Sequence, residues 1–119
     1  MGRLPGLLLL SAVAMAAEPK KATVNGFVVD SACAFVKDLK NKVDANCAVA
    51  CARAGSPLLI MADDGALYWP IAEVMPAANQ NPRLMEFAGK RVAVSGKVYE
   101  RGGSRAIAIE KIELEPSAK

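Results

Sequence analysis

Two stretches of this chain set a glycine in the middle of what is otherwise a β-strand. Residues 22–30, "ATVNGFVVD", place Val24, Gly26 and Val28 on one face, and residues 91–99, "RVAVSGKVY", place Val92, Val94, Gly96 and Val98 on one face. Period-two alternation of β-branched residues is the pattern of a strand with one buried side. A glycine on that buried side removes the side chain where another strand must approach closely or where the sheet must bend. Two such bends, one early and one late, favour a small barrel over a flat sheet.

The remaining elements fit between and after these strands. Residues 58–62 and 66–71 flank Asp63-Asp64-Gly65, whose residue types supply the backbone geometry of a tight hairpin turn. Asn81 is placed to cap a short helix with Pro82 at its first position, Gly89 just past its end, and Leu84, Phe87 and Ala88 as its buried stripe. In the last strand Ile107 and Ile109 are out of phase with Ile112 and Leu114, so one extra residue, a β-bulge near Glu110 and Lys111, is expected to return all four to one side. Met61, Met75 and Met85 read as core fillers.

Asp44 is a good N-cap, Ala45 to Ala54 is rich in the best helix former, Gly55 suits the C-terminal cap, and Pro57 forbids continuation. The expected class is mainly β with short helices (α+β). It comprises five strands, a cysteine-bearing helix after the first, and a short helix before the fourth. That order resembles the OB-fold, a five-stranded Greek-key barrel. The chain is also similar to small exported bacterial domains of uncharacterised function. The carriers of that resemblance are Gly26 to Cys33 ("G-x-V-V-D-x-x-C"), Cys47 to Cys51 (C-x3-C), Asp63 to Tyr68 ("DDG-x-LY") and Gly89 to Gly96 ("GK-x-V-x-V-x-G"). The resemblance implies export and a cysteine site. Many members carry histidines between the first and second cysteines, where Lys37 and Asp44 stand here.

The first residues carry Arg3, an apolar run from Leu7, and Ala14-Met15-Ala16 with small residues at the positions a signal peptidase reads. We expect residues 1–16 to be a signal peptide, 17–21 a flexible start, 22–115 one domain and 116–119 a flexible end. The run from Leu4 to Ala17 is shorter than the roughly 20 residues that span a bilayer, so no membrane span is expected after cleavage. Without Arg3 the fifteen basic residues become fourteen against twelve acidic, a formal +2. That balance is no signature of a polyanion-binding surface. The expected destination is the periplasm or the medium.

All three cysteines fall between residues 33 and 51, and the chain contains no histidine. Serine-histidine triads, C-x2-C-H haem attachment and histidine zinc motifs are thereby excluded. On a helix Cys47 and Cys51 stack one above the other with α-carbons about 6 Å apart, but parallel side chains meet poorly in a disulfide. In an oxidising compartment, a bond from Cys33 to Cys47 or to Cys51 is the expectation. It closes a loop worth about 3 kcal/mol on the chain-entropy model and leaves one thiol free. The first alternative makes Cys33, Cys47 and Cys51 three thiolate ligands for Cu(I) or another soft ion; tetrahedral zinc would need a fourth ligand such as Asp30, Asp44 or water. The second alternative is a thiol-disulfide redox protein, although no C-x2-C is present.

Tyr68 and Trp69, with Arg101 and Arg105 nearby, could make a stacking face. Adjacent strand residues point to opposite sides, however, so one of the pair should be core, and nucleic acid is not the expected partner. The expected function is therefore that of an exported, non-enzymatic binding domain, stapled by a disulfide and interacting with an unidentified protein or small ligand.

Overall fold

The computed structural model describes residues 18–37, 39 and 43–116. The expected signal segment lies outside them, as do Ala17 and residues 117–119. Five strands form a closed barrel: β1 (Lys20–Asp30), β2 (Leu58–Ala62), β3 (Leu67–Pro70), β4 (Arg91–Arg101) and β5 (Ser104–Leu114), in the order β1-β2-β3-β5-β4 with β4 returning to β1. Every pair is antiparallel except β3 with β5. Among the described residues three helices complete the fold: α1 (Ser31–Val36), α2 (Ala45–Arg53) and α3 (Asn81–Leu84), the last continuing as a 3₁₀ turn over Met85–Phe87. The mainly β class, the five-stranded barrel, the helix before β2 and the short helix before β4 are as the sequence indicates. α1 is an addition. β1 also begins two residues earlier than expected, because Lys20 and Lys21 pair with Val98 and Lys97.

The mid-strand glycines sit where the barrel needs them. β1 pairs with β4 through Phe27 and with β2 from Gly26 onward, so Gly26 is the handover between two neighbours. Gly96 lies at the register shift: Ser95 faces Lys111 while Gly96 faces Ile109, which leaves Glu110 as the extra residue of the expected bulge. The bulge keeps Ile107 and Ile109 buried and returns Ile112 to the core, but Leu114, paired with Val92 at the end of β5, remains 55 % exposed. Val24, Val28, Ile60, Val92 and Val94 fill the interior, and Leu84 of α3 is wholly buried among them. Arg91 binds the loop to the strand ends: it donates in bidentate fashion to Asp63 at 2.7 Å and 2.7 Å, donates to Glu115 at 2.6 Å, and lies over the Phe27 ring.

Asn81 corrects the sequence reading. It does not cap α3, whose cap residue is Gln80 and has no side-chain hydrogen bond. Its buried amide instead accepts from the Leu58 N–H at 2.8 Å and donates to the Ser56 carbonyl at 2.8 Å, holding the end of α2 to the start of β2. Asn81→Ala would leave both backbone groups without partners, at about 1–3 kcal/mol for each buried orphan. We expect a total loss of about 2 to 4 kcal/mol in urea denaturation, whereas an unchanged midpoint would show that water replaces the amide. Met75 is a second correction. At 78 % exposed beside Val74 it fills no core, while Met85 does pack against it.

Candidate metal centre

The site is assembled by two helix caps. Asp30 ends β1 and accepts the Cys33 N–H on Oδ2 at 2.9 Å, which starts α1 and turns Cys33 back over the barrel end. Asp44 Oδ1 accepts the N–H groups of Asn46 and Cys47 at 2.9 and 3.1 Å, starting α2 with Cys47 in its first turn. Ala48 and Ala52 bury one face of α2. Cys47 and Cys51, four residues apart, share another. The start of α1 is fastened to the end of α2 by the Ser31 N–H to the Pro57 carbonyl at 2.9 Å and by the Ser31 and Ser56 hydroxyls at 3.2 Å. Both elements that carry thiols are thus fixed to each other as well as to β1.

All three predicted residues converge. The sulfurs of Cys33, Cys47 and Cys51 lie within 4.8 Å of one another, and Cys33 Sγ is 3.5 Å from Cys47 Sγ. Each cysteine is half-buried and is a free thiol. A disulfide needs sulfurs about 2.05 Å apart, so the expected staple is not formed at these distances. They are compatible with a shared ion. Sulfurs 2.3 Å from one centre stand about 4.0 Å apart in a trigonal plane and about 3.8 Å apart in a tetrahedron.

Cys33 and Cys47 line a cavity of about 160 Å³, with Val29, Asp30 and Lys37 on its wall. Burial, reinforced by Cys47 and by Asp30, pushes the Cys33 thiol up to about 12. Burial and the same two neighbours also raise Cys51. These two groups are therefore protonated thiols at neutral pH, poor nucleophiles until a metal displaces their protons. Lys37 Nζ, 4.0 Å from Cys47 Sγ, is the cation that faces the cluster among the described residues. Asp30 itself is 1 % exposed. Burial pushes its carboxyl up, but the neighbouring Ser56 hydroxyl, the Cys33 amide and the Cys33 and Cys51 thiols outweigh that and hold it below the usual carboxylate range. Its Oδ1 has no hydrogen-bond partner.

The sequence reading missed α1, Ser31 and Ser56. Asp30 three residues before Cys33 was the available signal, since it is cap spacing. Of the other candidates, Asp64 accepts the Ala66 N–H within the hairpin turn, and Asp63 is taken by Arg91. Tyr68 packs toward the core while Trp69 is 36 % exposed, so the two do split between faces. Arg105 lies over the Tyr68 ring and pairs with Glu100 at 3.2 Å. Among the described residues no helix is long and apolar enough to cross a membrane.

A scan against protein-family models, a search of curated proteins and a search of solved structures each returned no match. The family resemblance rests on the quoted motifs alone.

Proposed function

We propose that the protein is an exported, non-enzymatic domain that binds one soft cation of the Cu(I) class through Cys33, Cys47 and Cys51. The observation that carries this reading is the approach of three sulfurs to within 4.8 Å, from two separate helices. Thiolates are soft donors and favour Cu(I) over hard ions such as magnesium or calcium. The barrel serves as an OB-like frame, a reading supported by its strand order and by a helix between the third and fourth strands. Cleavage after Ala16 and release into the periplasm or medium belong to the same proposal.

Titration tests it. Reduced protein competing against a chromophoric Cu(I) chelator is expected to withdraw one equivalent with a sharp end point. No withdrawal, or uptake continuing past one equivalent, would contradict a single three-thiolate site.

One observation favours a second reading. The sulfurs of Cys33 and Cys47 stand 3.5 Å apart, on two different helices. Exchange with a small disulfide such as oxidised glutathione would join these two sulfurs. The two thiols give up two protons and two electrons, the small disulfide is reduced to two thiols, and Cys51 is left free. Peptide mapping after such treatment is expected to recover Cys33 linked to Cys47, with loss of Cu(I) uptake. Linkage of Cys47 to Cys51 instead would show that α2 unwinds on oxidation.

A further inference from the structure

Asp30 is the most unusual polar residue in the fold. Among the described residues, its Oδ1 is the buried side-chain oxygen or nitrogen that has no partner. An unpartnered buried carboxylate oxygen is costly, and such a group calls for an ion or a water that occupies its lone pairs. Oδ2 is already committed to the Cys33 N–H, so Oδ1 is the oxygen left over. It belongs to a side chain on the wall of the cavity that Cys33 and Cys47 also line, beside the thiols of Cys33 and Cys51. Asp44 lines the same cavity, but it is exposed and its Oδ1 is engaged in capping α2, whereas Asp30 is buried.

We infer that Asp30 supplies an oxygen ligand beside the three sulfurs, so that the site accepts a divalent tetrahedral ion of the zinc class as well as monovalent Cu(I). This rests on the three-thiolate reading and deepens it. Charge argues in the same direction. Three thiolates and one carboxylate carry four negative charges, and among the described residues Lys37 is the cation that faces them. A divalent ion offsets more of that charge than a monovalent one does, in a half-buried place where Coulomb attraction is weakly screened. Zinc also takes three sulfurs and one oxygen readily in tetrahedral geometry, whereas trigonal Cu(I) needs no fourth donor. Asp30 is therefore the residue that sets which valence the site prefers.

The test compares Zn(II) and Cu(I) binding by reduced wild-type protein with binding by Asp30→Asn and Asp30→Ser. Asparagine and serine both cap helices well, so α1 keeps its start while the carboxylate is gone. Unchanged Cu(I) stoichiometry in either variant reports that the site is folded. We expect both variants to bind Zn(II) about tenfold or more weakly, with Cu(I) affinity altered much less. Zn(II) affinity equal to wild type would overturn the inference. So would equal weakening of both ions, since Asp30 would then act only by positioning Cys33. Wild-type protein that takes Cu(I) but not Zn(II) would overturn the inference and leave the three-thiolate reading standing, whereas wild type that takes neither would remove that reading itself.

Discussion

Replacing any one of Cys33, Cys47 or Cys51 by serine is expected to weaken Cu(I) binding by more than a hundredfold. Loss of a partner outside the ligand set already costs about 10–100-fold in metal affinity, and loss of a ligand costs more. A hydroxyl is a hard, weakly acidic donor and does not substitute for a thiolate on a soft ion. The three replacements should be similar in size, because no sulfur is peripheral: all lie within 4.8 Å of one another. Folding should be little affected, since each cysteine is half-buried and none belongs to the cluster of core side chains. Chelator competition, with a melting curve for each variant, reads both quantities. A variant that retains wild-type affinity would reduce the site to two sulfurs.

Gly96→Ala and Gly26→Ala are expected to be the most damaging single changes to the fold. A methyl group at Gly96 would stand 2.1 Å from the Ala108 carbonyl oxygen, and one at Gly26 would stand 1.9 Å from that of Met61. In both cases the obstacle is backbone held in a strand ladder, so relief requires breaking pairs that close the barrel. Overpacking inside a fold costs about 1–3 kcal/mol and occasionally more. With rigid backbone as the neighbour, we expect about 3 kcal/mol or more, a large share of the roughly 5–15 kcal/mol that holds a domain of this size. Urea denaturation measures it. Gly65→Asn serves as the control, because it lies in the hairpin turn with nothing within 4 Å and asparagine tolerates the left-handed backbone there. If Gly96→Ala unfolds at the wild-type urea concentration, the bulge does not constrain the barrel as described.

The same glycines explain what could be read in advance. Alternation marked the inward faces of β1 and β4, and the phase conflict between Ile109 and Ile112 marked the bulge at Glu110, because strand periodicity is local and survives into the fold. What is not local stayed hidden. α1 is six residues long, too short for a helical period, and only the spacing from Asp30 to Cys33 announced it. Asn81 carried a sound capping signal, yet the unpaired Leu58 N–H and Ser56 carbonyl claimed its amide first. The phase of Leu114 sets it opposite Val92, but not how far it stays exposed at the end of β5. For the site, helical spacing put Cys47 and Cys51 on one face. The arrival of Cys33 depends on the turn at Asp30 and on the fastening of Ser31 to Ser56 and Pro57, a tertiary matter. The oxidation state of three adjacent thiols depends on the surrounding redox poise, which no spacing encodes.

The central claim is that three sulfurs from two helices converge on one soft ion, and X-ray absorption at the copper edge addresses it most directly. Reduced protein loaded with one equivalent of Cu(I) is predicted to show three sulfur neighbours at about 2.3 Å, the ordinary metal–thiolate distance, with no second copper nearby. Two sulfur neighbours, a shell dominated by nitrogen or oxygen, or a copper–copper distance would contradict it.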